Sequence, residues 1–156
     1  MLNNDILRRI RYTFDFNDSE MVGIFAAADY EVTREQVCDW LKKDEDAAFI
    51  TKCSDRELAI FLNGLINTKR GKKEGPQPEP ESRLTNNMIF MKLRIALNFK
   101  AEDVLDVLKS VDFNMSSHEL SAFSRKPDNK HYRECKDQIL RNFLLGIQNR
   151  FRPQDQ

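Results

Sequence analysis

Residues 53–67, CSDRELAIFLNGLIN, return near the other end of the chain as residues 135–149, CKDQILRNFLLGIQN. Seven positions keep the same residue at the same spacing: Cys53 and Cys135, Asp55 and Asp137, Leu58 and Leu140, Phe61 and Phe143, Leu62 and Leu144, Gly64 and Gly146, Asn67 and Asn149. Working outward, Asn86 and Asn87 fall on Asn3 and Asn4, Ile89 on Ile6, Arg94 on Arg11, Phe99 on Phe16, Asp112 on Asp29 and Phe123 on Trp40, all at an offset of 83. After Lys126 the offset drops to 82, because one residue is lost where Pro127 replaces Asp44 or Glu45. Such a length change is cheapest in a loop. The chain is therefore a tandem duplication, with residues 1–70 as a first repeat, 71–84 as a linker, 85–152 as a second repeat and 153–156 as a tail.

Within the first repeat the apolar residues recur at helical spacing. Leu58, Phe61, Leu62, Leu65 and Ile66 stand at i, i+3, i+4, i+7 and i+8, which marks the last helix of the repeat as its central one. Gly64 inside that helix costs about 1 kcal/mol relative to Ala, and Gly146 repeats the choice, so a neighbouring helix is expected to cross closely there. Upstream, Asn3 and Asn4 are read as caps of a first helix that buries Ile6, Leu7, Ile10 and Phe14 and leaves Arg8, Arg9 and Arg11 on the other side. Asn17 with Glu20, Thr33 with Gln36 and Ser54 with Glu57 have the spacing of capping boxes and open three more helices; Ser116 with Glu119 repeats one of them. A helical turn is expected around Ala47 to Ile50. The sequence thus predicts an all-α protein of two similar four-helix units, each with a helix-turn-helix-like centre. The linker, GKKEGPQPEPESRL, holds two glycines and three prolines and is expected to be extended and solvent-exposed.

The 25 basic and 25 acidic residues cancel, but not locally. Residues 1–70 hold 10 Lys+Arg and 13 Asp+Glu, whereas residues 85–156 hold 12 and 9. Repeats of opposite sign can attract each other or a partner chain, and zero net charge lacks the basic surplus usual in proteins that grip a phosphate backbone. The N-terminal MLNNDILRRIRY has no apolar run of the kind a secretory signal needs, and no window reaches 18 apolar residues, so a cytoplasmic protein with no membrane partner is expected. Three cysteines, without a C-x-x-C pair, fit free thiols in a reducing compartment.

Little in the chain suggests catalysis. With Ser54 as N-cap, Cys53 and Leu58 hold the two positions of a hydrophobic staple, as do Cys135 and Leu140, so both cysteines are read as structural. A thiol enzyme would require them to be exposed. His118 and His131 have no ligand partner at i+3 or i+4, and no phosphate loop or nucleophile elbow occurs, so neither metal, cofactor nor enzyme activity is expected. Arg11 with Asp29, and Arg94 with Asp112, are matched polar residues away from caps; a structural ion pair in each repeat is the expectation, and phosphate binding by the arginines the alternative. The short-turn helix pairs at residues 18–43 and 101–126 resemble a helix-turn-helix. In the first, Glu35 and Asp39 would repel phosphates. The second offers Ser117, His118, Ser121, Arg125 and Lys126, and the linker start adds Lys72 and Lys73.

The opening NNDILRRIRYTFD, its partner TNNMIFMKLRIALNF and the closing C-x-D-x-x-L-x-x-FL-x-G stretches together resemble the YehS family of small bacterial proteins, over roughly residues 1–152. The resemblance implies a bacterial, cytoplasmic protein made of two copies of one domain, and carries over no functional residue. The reading from sequence is a non-catalytic binding protein. A protein partner or self-association is favoured on net charge, with nucleic-acid binding through the second repeat and the linker start as the alternative.

Overall fold

The computed structural model describes residues 1–43 and 51–152; the turn expected at residues 47–50 and the tail 153–156 lie outside the described residues. Among these residues the regular elements are eight helices: α1 (Asn3–Phe14), α2 (Asp18–Ala27), α3 (Arg34–Trp40), α4 (Asp55–Arg70), α5 (Asn86–Ala96), α6 (Ala101–Lys109), α7 (Ser117–Ala122) and α8 (Asp137–Phe151). Each repeat supplies four, and the fold class is the one the sequence predicts.

Helix starts follow the local devices. Asn17 Oδ1 accepts from the Glu20 backbone N–H at 2.8 Å while Glu20 Oε1 accepts from Asn17 N–H at 3.0 Å. Thr33 with Gln36, Ser54 with Glu57 and Ser116 with Glu119 close the same reciprocal pair of bonds. Asp15 after α1 and Asn98 after α5 are left-handed, with φ of 54° and 55°, a conformation that Asp and Asn tolerate best after glycine.

Asn3 and Asn4 do not cap α1, whose N-cap is Leu2 without a side-chain bond; in the second repeat Thr85 caps α5 by accepting from Met88 N–H. Their side chains turn inward instead. The Asn4 amide donates to Trp40 O and Thr51 O, both at 2.9 Å, and its Oδ1 accepts from Cys53 N–H at 3.0 Å. Asn87 repeats this with Phe123 O, Arg133 O and Cys135 N–H. Asn3 donates to Cys53 O and to Asp55 Oδ1, and Asn86 to Cys135 O and Asp137 Oδ1. Two adjacent amides therefore fasten the start of the first helix to the end of the third and the start of the fourth. Backbone groups left without partners in a buried loop would each cost about 1–3 kcal/mol.

The buried side chains of both repeats form one cluster. In the first, Phe25 of α2 meets Phe61 at 5.2 Å and Trp40 at 5.4 Å between ring centroids. In the second, Phe90 of α5 meets Phe143 at 4.2 Å and Phe123 at 5.7 Å. Phe25 aligns with Leu108 and Phe90 with Leu7, and all four are fully buried. Each core thus has one Phe and one Leu at these two places, exchanged between helices, a swap that conserves volume. At the expected crossings, a Cβ on Gly64 would overlap the Ile24 carbonyl, and one on Gly146 the matching Val107 carbonyl. Glycine lets α4 lie against α2, and α8 against α6.

The two repeats interlock. α1 lies chiefly on α8 of the other repeat, and α5 chiefly on α4. Asp55 accepts from Leu84 N–H at 2.9 Å, and Asp137 from the Met1 amine at 3.0 Å, so the aspartate bound by its own repeat's asparagine also holds the start of the other repeat. The linker is not free in solvent, since several of its polar groups find partners on the helices or the turn after α2: Lys72 pairs with Asp29 at 2.5 Å, Gln77 accepts from Asn67 at 3.2 Å, and Glu81 pairs with Lys92 at 3.2 Å. Residues 71–76 are exposed, while Gln77, Pro80 and Glu81 are half-buried.

Gly64→Ala and Gly146→Ala, which would gain about 1 kcal/mol in an isolated helix, are expected to lower stability by about 1–3 kcal/mol or more through overlap with the crossing helix. Urea unfolding checks the sign: a stabilised variant would mean that the crossings are looser than described.

Candidate nucleic-acid interface

α7 and the loop after it shape a groove in the second repeat, lined by His118, Glu119, Ala122, Arg125, Lys130, His131, Tyr132 and Arg133. The loop is fixed from beneath, since the Asn87 clamp holds Arg133 O at 2.7 Å and Arg133 N–H donates to Ala122 O. Among the described residues of its lining, three basic side chains and two imidazoles accompany one carboxylate. That carboxylate, Glu119, is bound into the α7 capping box; bonds from the Ser116 backbone and hydroxyl, then Arg133 at 3.6 Å, hold it below the usual carboxylate range.

Of the residues singled out in the sequence, His118 and Arg125 come together in this groove, while Ser117 and Lys126 are exposed outside its lining. Lys72 and Lys73 do not line it. Lys72 is drawn to Asp29, and Lys73 is exposed with its carbonyl accepting from Gln77. Lys130 and Arg133 were missed because they lie in an irregular loop, although the basic run from Arg125 to Arg133 was visible.

Among the described residues no ion pair joins Arg11 to Asp29 or Arg94 to Asp112. Arg11 pairs with Asp18 at 3.7 Å, and Arg94 Nε donates to Phe99 O at 3.1 Å. Asp29 and Asp112 each have φ of 59°, so a left-handed exit from α2 and α6 accounts for both copies keeping a short polar residue there. Arg150 and Arg152 lie over the rings of Phe99 and Tyr12, 5.3 and 4.0 Å from the centroids, and Arg152 also donates to Tyr12 O. Of these contacts, that of Arg152 joins the two repeats.

Cys53 and Cys135 are buried, as are Leu58 and Leu140, the residues opposite them in the staple. Burial, then Glu57 and Asp55, pushes the Cys53 thiol up to about 12; burial, then Asp137 and Glu134, does the same to Cys135. Protonated at neutral pH, neither is a nucleophile. Among the described residues no group of three or more His, Cys, Asp and Glu is placed to hold a metal ion, and no helix is long and apolar enough to cross a membrane.

A family model described as a protein of unknown function, DUF1456, matches residues 3–71 and again 86–152. The chain belongs to the DUF1456 family. Its double match falls on the two repeats, and the YehS resemblance read from the sequence is borne out: the uncharacterized protein YehS of Escherichia coli (strain K12) is 47% identical over 148 residues, 94% of either chain. No solved structure matches.

Thiol labelling tests this DUF1456 fold directly. Of the three cysteines only exposed Cys38 is expected to react in native protein, the buried pair only on unfolding. Because both buried thiols have raised folded values, their stabilising contribution is full below about pH 9, the value of an exposed thiol, and declines as pH rises towards 12. Rapid native labelling of all three would contradict the burial.

Proposed function

We propose that the protein is a non-catalytic, cytoplasmic binding protein, and that its partner is single-stranded nucleic acid held in the groove beside α7. One observation carries the reading: Arg125, Lys130 and Arg133 line a single groove with His118, His131 and the half-buried ring of Tyr132. Cations that follow a backbone, with an aromatic face on which a base can stack, are what single-strand binding uses. Zero net charge argues against it only if charge is evenly spread, and here it is segregated.

The protein-partner reading asks for an apolar patch shared by both repeats. Among the described residues the matched exposed large apolar side chains are Tyr12 and Ile95, one pair, and Arg152 lies over the Tyr12 ring. That is less than a docking face requires. Free thiols fit a reducing cytoplasm.

Fluorescence anisotropy of labelled single-stranded RNA and DNA, with duplexes as controls, tests the proposal. Each phosphate contact on a single strand contributes a slope of about −0.7 in log affinity against log salt, so three cations predict roughly 20-fold weaker binding at 200 than at 50 mM salt. Arg125→Ala with Arg133→Ala should weaken binding and flatten that slope. No binding at 50 mM, or binding indifferent to these changes, would overturn it.

A further inference from the structure

A second basic surface lies at the repeat junction, away from the α7 groove. A cleft between α1 and α8 is lined by Arg8, Arg9, Arg11 and Lys43 of the first repeat and by Arg141 of the second; among the described residues Asp5 is the carboxylate in its lining, and Tyr12, half exposed, stands at its wall. Its volume of about 690 Å³ lies in the range of small-molecule sites. Arg8 is neutralised by Asp5 and donates to Lys42 O. Among the described residues the other three arginines are lightly engaged. Arg9 reaches Gln148 at 3.5 Å, Arg11 meets Asp18 at 3.7 Å with its Nε buried and unpartnered, and Arg141 is exposed and joins no ion pair among the described residues.

Two of these five cations, Arg8 and Arg141, are particular to this junction. At the reciprocal junction of α4 and α5, Met88, Met91 and Lys92 stand where Asp5, Arg8 and Arg9 stand here, and Ala59 replaces Arg141. Arg94 and Lys126 keep the charge of Arg11 and Lys43 there, but Arg94 Nε donates to Phe99 O, and Lys92 is bound by Glu81 of the linker and by Asn63. The α4–α5 junction has three cations at these five places and a linker carboxylate on one of them, whereas the α1–α8 junction has all five. Guanidinium groups converging from two sides suit phosphate, which they bind through paired, planar hydrogen bonds.

We propose that the α1–α8 cleft is a site for a small polyphosphorylated ligand, clamped between arginines of the two repeats. The shared chemistry is a polyphosphate chain, carried by inorganic polyphosphate or by a nucleoside polyphosphate. In the second case the base rests against the exposed part of Tyr12, beside the Arg152 guanidinium that lies over the ring.

Isothermal titration calorimetry of the full chain at about 50 mM salt, the low end of the range where phosphate contacts are strongest, tests this with sodium tripolyphosphate and adenosine triphosphate. Saturable one-to-one binding is expected, weakened about tenfold, or 1.4 kcal/mol, by Arg9→Ala and by Arg141→Ala, one from each side of the cleft. Arg125→Ala, in the α7 groove, should leave it within about twofold, well inside that tenfold step. Equal affinity for both probes would support recognition of the phosphates alone; tighter nucleotide binding that Tyr12→Ala abolishes would support the nucleoside form. Absence of saturable binding by either probe, or equal weakening by Arg125→Ala, which marks diffuse charge, would overturn the proposal. Loss of oligonucleotide binding with tripolyphosphate binding intact would remove the nucleic-acid reading and leave this one standing.

Discussion

The buried amide of Asn4, repeated at Asn87, is the interaction on which the rest of the structure depends. One side chain supplies two donors to carbonyls on the third helix and the following loop, and one acceptor to the amide that opens the fourth helix. No other short side chain offers that set. Its neighbour Asn3 binds Asp55, and Asp55 in turn holds Leu84 N–H, so the chain of bonds passes from one repeat into the next. Asn86, Asp137 and the Met1 amine complete the reciprocal path, and the Asn86 bond, then Met1, keeps the Asp137 carboxyl below its ordinary range. A repeat of roughly 70 residues is near the size at which one core is marginal. Interlocking α1 with α8 and α4 with α5 lets both halves share a core neither needs to fill alone.

How much of this could be read from the chain depends on how far each device reaches. Capping boxes at Asn17, Thr33, Ser54 and Ser116 act within four residues, and each forms as its spacing indicates. Gly64 and Gly146 could be recognised because an unfavourable residue had been kept twice inside a strong helix. Asn3 and Asn4 were misassigned because an asparagine ahead of a helix looks like a cap, and nothing local says that its partners lie 36 and 47 residues away. The available signal was their recurrence together with Cys-x-Asp in both copies. Asp29 and Asp112 were misread for the opposite reason, since a backbone requirement was taken for a charge pair.

The candidate sites divide along the same line. The α7 groove was half visible, because His118 and Arg125 lie within one stretch, whereas Lys130 and Arg133 need the clamped loop to bring them in. The α1–α8 cleft was not visible, since Arg141 comes from the far repeat and Arg8, Arg9 and Arg11 looked like the solvated side of a helix. Duplication gave two equal frames, and divergence then placed charge on only some of their surfaces. That inequality, and not the fold, carries the functional reading.

The measurement that bears most directly on the interlocked clamp is urea unfolding followed in parallel by Trp40 fluorescence and far-UV circular dichroism, on the protein and on Asn87→Ala. Trp40 is the chain's single tryptophan and sits in the first repeat, while the substitution is in the second. If the halves share one core, the two probes coincide in both proteins, and Asn87→Ala lowers the Trp40 midpoint together with the helical signal. A variant whose Trp40 transition stays in place while half the helical signal is lost earlier would contradict the account, because it would mean that the repeats stand alone.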